Sequence, residues 1–349
     1  MKKILALVFA SLMILSLAAC GSKPAAEPAP VEPAAPAEST APAEDAAPSE
    51  EAPAADAAPA TLNGDGITVG ACIYKFDDTF MTGVRNNMTA QAESLGATIE
   101  IVDSQNKQPT QNEQVDTYIT KGVNALAVNP VDLTAAGPII DKASAAGIPI
   151  VLLNRQPSEE DMAKYDKTWY VGARAEESGT MSGQIILDYF KANAGADKNG
   201  DGVIQYVMLQ GEPGHQDAEL RSEYCVKAMT DAGLQVEEVA KDTAMWDRVK
   251  GQDKMATILA AHDNIEAVFC NNDDMALGAI EALKAEGYNT GDASKYIPVV
   301  GVDATAPALE SMSKGELLGT VLNDAENQGI ATVNVAVAAA QGLEITKDT

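Results

Sequence analysis

Beyond residue 66 the chain alternates between short apolar runs and longer stretches whose apolar residues recur every three or four positions. The run Ile67-Thr-Val-Gly-Ala-Cys-Ile-Tyr74 has the length and branched residues of a buried strand. Residues 80–95 carry a helical period that Gly96 stops. A strand over 97–102, a polar helix over about 110–121, a strand at 125–128, a helix over 133–146 and a strand at 149–153 follow. After Trp169-Tyr-Val-Gly172 the rhythm resumes, with strands near 205–209, 235–240, 267–269 and 298–302. Helices fall near 177–192, 217–232, 246–261 and 275–285. Joining parallel strands takes a helix-length crossover, so this alternation predicts parallel sheets covered on both faces. Two such series, one on each side of about Gly172, predict an α/β fold with two doubly wound parallel sheets.

Open α/β sheets collect their ligands at the C-terminal ends of their strands, so the residues just after each strand are the place to search. There the chain sets Lys75-Phe-Asp-Asp-Thr-Phe80, Asn154-Arg-Gln-Pro157 and Gly211-Glu-Pro-Gly-His-Gln-Asp217, with Arg221 one turn on. Trp246, Asn271-Asn272-Asp273, Gly301-Val-Asp303 and Thr320-Val-Leu-Asn323-Asp324 occupy the corresponding places later. Carboxylates and amides can serve several hydroxyls at once, and aromatic faces cover the apolar C–H patches of a pyranose, so the set suits a sugar. Taken singly, each residue has a plainer reading. Asp and Asn after strands form turns and helix caps, as Asp273 and Asp324 could, and a lone Trp246 would be core. The repeated placement is what points to a ligand.

Composition adds a location. Lys2 and Lys3, an apolar stretch over 4–17 and small residues before Cys20 form a signal peptide, too short for a comfortable bilayer span. Leu17-Ala18-Ala19-Cys20 resembles a bacterial lipobox, which makes Cys20 the lipidated residue and predicts a membrane anchor. Residues 21–60 hold nine of the chain's 17 prolines, and eight acids against Lys23 alone. Such a stretch has little to bury and reads as a disordered, extended Ala/Pro/Glu linker. The remainder is long enough for two domains. A formal net charge of −27 argues against nucleic acid and against peripheral binding to anionic lipid. Cys72, Cys225 and Cys270 are an odd number after Cys20, in spacings that suit no zinc site.

Several ordered motifs now carry a resemblance. Tyr74-Lys-Phe-Asp-Asp-Thr-Phe80, Gly211-Glu-Pro-Gly-His215, Asp242-Thr-Ala-Met-Trp-Asp247 and Gly319-Thr-Val-Leu-Asn-Asp324 are similar to those of the bacterial galactose/glucose-binding group of periplasmic sugar-binding proteins. The similarity runs from about Ile67 to the C-terminus. It implies a Venus flytrap of two interleaved α/β lobes, 66–172 plus 323–349 and 173–322, hinged near 172–174 and 322–324. It implies that Phe80 and Trp246 sandwich a hexose ring. Asp78, Asn154, His215, Asp217, Arg221, Asn272, Asp303 and Asn323 match the hydroxyl-binding positions, and Asn129 is left as structural. The partners implied are an ABC permease and a chemoreceptor, with the protein itself a monomer. The family continues past this chain's Lys347-Asp-Thr349 with a further strand and a third crossover.

A second signal stands on spacing. Asp197, Asn199, Asp201, the Val203 carbonyl and Gln205 occupy positions one, three, five, seven and nine of an EF-hand-like loop, with Gly202 at six. The bidentate glutamate expected at position twelve is replaced by Met208. By resemblance Glu266 supplies it from a distance, which implies bound Ca²⁺. An Asx-rich turn without metal is the alternative.

Enzyme readings find little support. His215 and His262 are the only histidines, and no recognisable nucleophile motif or phosphate loop accompanies them. A sensor module, a binder of another monosaccharide such as a pentose, and a carbohydrate-modifying enzyme are the competing readings.

Overall fold

The structure is a computed structural model that describes residues 62–345. The signal-peptide, Cys20 and linker expectations lie outside the described residues. The first sheet is built from β1 (Thr68–Ile73), β2 (Thr98–Asp103), β3 (Ala125–Val128), β4 (Ile150–Leu153) and β5 (Thr168–Val171), in the order β2-β1-β3-β4-β5. The second comprises β6 (Val203–Gln210), β7 (Gln235–Thr243), β8 (Ala267–Cys270), β9 (Val299–Val302) and β10 (Gly319–Val321), in the order β10-β9-β8-β6-β7. Every pairing is parallel. In each sheet the chain reverses its direction of travel beside its first strand, between β1 and β3 and between β6 and β8. A crevice opens at such a switch point because the crossovers on its two sides leave on opposite faces.

Helices α1 (Thr79–Leu95), α2 (Gln108–Lys121), α3 (Ala136–Ala146) and the short α4 (Glu159–Met162) connect the first sheet. Helices α5 (Ala175–Ala192), α6 (Gln216–Asp231), α7 (Arg248–Ala261), α8 (Asp273–Ala285) and α9 (Ala306–Ser313) serve the second. The last helix, α10 (Ala325–Ala340), returns to the first lobe, where Val333, Ala336 and Val337 join the core made by β1, β3, β4 and α1. Among the described residues the chain therefore passes between the sheets twice, after Val171 and after Val321. Each sheet is buried on both faces, by separate apolar clusters. That is why the inner strands β1, β3, β4, β8 and β9 read as continuous apolar runs, whereas the edge strands β2 and β7 are partly exposed and carry charged residues. Cys72, Cys225 and Cys270 are free and buried in these cores, small apolar side chains whose thiols burial holds up, Cys72 to about 12.

Several features depart from the sequence expectation. The helix expected over 133–146 is a 3-10 turn, Leu133–Ala135, that runs into α3. Pro138 would clash with the carbonyl four residues back in a helix interior, but it is tolerated in the first turn. The short α4, together with α9, β10 and α10, had no counterpart in the pattern. Strand β10 spans three residues, too few for a periodicity. Helix α9 is a short segment with proline in its first turn, and α10 is an Ala/Val-rich helix with little amphipathic contrast. No helix among the described residues is long and apolar enough to cross a membrane.

Candidate functional site

The strand ends of the two sheets face one another across a narrow cleft lined by residues of both lobes. All ten residues expected to touch a ligand line it: Asp78, Phe80 and Asn154 from the first lobe, Asn323 from the return crossover, and His215, Asp217, Arg221, Trp246, Asn272 and Asp303 from the second. Tyr74, Met81 and Arg155 line it too and were not singled out from the sequence. Arg155 directly follows Asn154 in a strand-end run, so its position was a signal. Tyr74 is the first residue beyond β1.

In the first lobe Asp78 has two roles. Its Oδ1 accepts from the Met81 N–H at 2.8 Å and caps α1, while its Oδ2 accepts from the Tyr74 hydroxyl. The plain reading as a helix cap and the ligand reading thus coexist in one carboxylate. Asn129 stitches the strand ends together, accepting from the Tyr74 N–H and donating to the Leu153 carbonyl and to Asn154 Oδ1. Arg155 lies 4.1 Å from the centre of the Tyr74 ring, donates to the Val131 carbonyl and reaches Glu212 of the other lobe at 2.7 Å. A second bridge between lobes joins the Thr79 hydroxyl to Asp274 at 2.6 Å. The lobes are therefore closed on one another.

In the second lobe His215 caps α6, its Nδ1 accepting from the Asp217 N–H at 3.1 Å. That bond leaves the proton on Nε2, a donor directed elsewhere. Burial, reinforced by the Arg155 and Arg221 charges, holds the imidazole well below its ordinary pKa, so the ring is neutral. Arg221 donates to Asp217 at 2.8 Å and to the Asn271 carbonyl at 2.9 Å. Burial raises the Asp217 pKa despite the opposing Arg221 charge. Asn272 caps α8 through its side-chain oxygen, which leaves its amide N–H groups for a ligand. Asp303 accepts from Asn323 at 3.1 Å. Burial pushes its carboxyl well above the usual range, opposed by Arg221 and reinforced by the charge of Asp273.

Trp246 is 8% exposed and meets His215 edge-on, with ring centres 5.0 Å apart. Its indole lies against Gly211, where any Cβ would collide with the ring. The backbone here is unusual. Asn154, Met245, Trp246, Asp303 and Ala304 all have positive φ without being glycine, and such conformations persist where surrounding structure over-determines them. Two buried donors, Arg155 Nε and Arg221 Nε, have no protein partner. Three acids (Asp78, Asp217, Asp303) face two arginines and a neutral histidine, a nearly balanced set that suits a neutral ligand rich in hydroxyls.

The candidate metal loop lies between α5 and β6. Asp197 accepts from the Gly200 and Gly202 N–H groups, Asn199 from Asp201, and Asp201 from Val203. Glu266, 2% exposed, accepts from the Lys198 and Gln205 N–H groups, and burial raises its pKa. Among the described residues no three His, Cys, Asp or Glu side chains gather as a metal cluster. Asp197, Asp201 and Glu266 are instead engaged with backbone N–H groups of the loop and of β6, beside the amides of Asn199 and Gln205. Asn199 Nδ2 donates to Asp201 and to Gln205 Oε1, and Gln205 Nε2 donates to Asp201. An all-oxygen donor set of this kind fits Ca²⁺.

With this geometry in place, comparison with known proteins is informative. Residues 69–344 match a family model described as a periplasmic binding protein domain. The chain is 44% identical over 284 residues to the D-galactose/methyl-galactoside binding periplasmic protein of Haemophilus influenzae, covering 80% of this chain and 84% of that one. It is 30% identical over 285 residues to the ribose import binding protein of Bacillus subtilis, covering 82% and 85%. A crystal structure of an ABC transporter solute binding protein from Bacillus halodurans with bound myo-inositol superposes with a TM-score of 0.70. The sequences are 32% identical, covering 82% of this chain and 92% of that one.

Proposed function

The chain belongs to the periplasmic binding protein family, and from that premise we propose that it captures a hexose, D-galactose or D-glucose, and delivers it to an ABC importer. The observation that carries the reading is the cleft itself. Phe80 and Trp246 come from opposite lobes and line one small space. Around them the acids, the amides, the His215 Nε2 donor and the two unpartnered arginine Nε groups are the counterparts of a ring of hydroxyls. The relative named for galactose supports the hexose; relatives named for ribose and solved with myo-inositol mark the alternatives. Binding without turnover, in a monomer that presents its closed form to a permease and to a chemoreceptor, completes the reading. A ligand touching both lobes favours closure because it binds the closed state better. The test is calorimetry of D-galactose, D-glucose, D-ribose and myo-inositol. A hexose should bind most tightly; ribose or inositol binding far more tightly, or chemical conversion of the sugar, would overturn the assignment.

We propose also that the loop holds a structural Ca²⁺ through Asp197, Asn199, Asp201, the Val203 carbonyl, Gln205 and Glu266. The support is the hard-oxygen donor set and the desolvated Glu266, whose charge a cation would stabilise. Calcium at 100 times its Kd should stabilise the protein by about 2.7 kcal/mol. Asp201→Ala and Glu266→Ala should lose that gain in thermal melts; equal calcium shifts in wild type and both variants would exclude this site.

The proposed anchor rests on the lipobox-like run ending in Cys20. Cys20→Ala should release the protein from the membrane fraction without changing sugar affinity. A wild type that carries no acyl label would refute it.

A further inference from the structure

Asp303 reaches the cleft from a backbone that two consecutive non-glycine residues hold in the left-handed region, φ 128° at Asp303 and 53° at Ala304. A turn of that kind does not keep itself, so something must hold it. The holding group is Asp273, which does not line the cleft, is 0% exposed, and stands at the start of α8 next to Asn272. Its Oδ2 accepts from both the backbone N–H and the hydroxyl of Thr305, at 2.7 and 3.0 Å. Its Oδ1 accepts from the Thr320 hydroxyl at 2.5 Å. The same Thr320 oxygen accepts from the Ala304 N–H at 3.1 Å, and the Asp303 N–H donates to the Val321 carbonyl at 2.8 Å. The strained pair is therefore tied to β10, and the residue that follows it to the Asp273 carboxylate. Gly301 completes the arrangement: a Cβ there would collide with Asp273 Oδ1.

We propose that Asp273, acting through Thr305 and Thr320, is a positioning residue for ligand capture, which aims the Asp303 carboxylate into the cleft. An acid is needed because three donors converge on it. An asparagine would set an NH₂ group against a hydroxyl or an N–H, and a buried donor would lose its acceptor. Thr320 relays the restraint because one hydroxyl donates to Asp273 while accepting from Ala304. The proposal rests on the sugar-binding reading and adds to it residues that touch no ligand.

The experiment measures affinity for whichever sugar of the panel binds the wild type most tightly. The variants are Asp273→Asn, Thr320→Val and Thr320→Ser, each alone and combined with Asp303→Ala, with melting curves to establish that each is folded. Asp273→Asn and Thr320→Val should weaken binding by about tenfold or more, as expected when a buried donor or acceptor is orphaned. Thr320→Ser, which keeps the hydroxyl, should restore most of the affinity. In the Asp303→Ala background the losses should nearly vanish, because the residue being aimed is gone. Such non-additivity marks an action through Asp303 and not a general loosening of the lobe. Should Asp273→Asn fail to fold, the Thr320 pair carries the same test. Wild-type affinity in Thr320→Val, a serine no better than the valine, or losses undiminished by Asp303→Ala would each overturn the positioning role. A wild type that binds no sugar would sink the capture reading and this one with it.

Discussion

Arg221→Ala is expected to abolish sugar binding and to lower the unfolding free energy by about 3–5 kcal/mol, as breaking one side of a buried ion pair does. Arg221 and Asp217 are each 4% exposed and share a 2.8 Å bond. Without the guanidinium, Asp217 keeps its burial and loses its counter-charge. Its pKa is already raised by burial and would rise further. The sign of the pH dependence follows. A carboxyl whose folded pKa lies above its unfolded value of about 3.9 favours folding most at low pH and loses that contribution as pH rises through the folded pKa. The deficit of Arg221→Ala should therefore grow as pH rises from about 4 toward neutrality. Urea titrations at several pH values would measure it. The double variant Asp217→Asn/Arg221→Met should recover much of the stability and none of the binding, since both charges leave together. A single variant as stable as wild type at every pH would contradict this account of the pair.

Trp246→Ala has the second large effect, on both stability and affinity. The indole belongs to the core of the second lobe, packed with Met255, Met275 and Leu209, and truncating a buried Trp costs about 3–5 kcal/mol. The lost stacking face should weaken sugar binding by a further amount on the order of 1–3 kcal/mol. Gly211→Ala separates the two effects, because it keeps the ring and displaces it. It should impair binding more than it impairs folding. The chain has two tryptophans, Trp169 and Trp246, so a Trp169→Phe protein reports Trp246 alone by fluorescence. A binding signal that survives in Trp246→Ala, with affinity within about twofold of wild type, would remove the indole from the site.

These effects depend on how lobe closure is shared among contacts. Arg155–Glu212 and Thr79–Asp274 bridge the lobes on their own. Glu212 is half-buried and Asp274 also pairs with Arg248 in its own lobe. Neither bridge was foreseeable from residue spacing, since each joins groups more than fifty positions apart.

The alternation of apolar runs with helical periods was by itself enough to determine an α/β architecture in two series, and the place of most strands. Strand burial is written into local composition: an inner strand covered on both faces is apolar at nearly every position. Placement of candidate groups just beyond strands was equally legible, because the position of Asp78, Asn154, His215, Asn272 or Asp303 relative to its own strand is a local property. Beyond that point local pattern carries no information. The order β10-β9-β8 is what brings Asp273, Thr305 and Thr320 together, and no periodicity encodes which strand lies beside which. Tyr74 and Arg155 enter the site because the β1 and β4 ends flank β3 and because Glu212 arrives from the other lobe. The short β10 and the low-contrast α10 escaped the pattern because tertiary packing holds them in place. Sequence determined which groups stand at the rims of the two sheets; the strand order and the two crossovers decided which of them meet, because a hydrogen bond between segments far apart in the chain exists only once the fold has brought its partners within 3 Å.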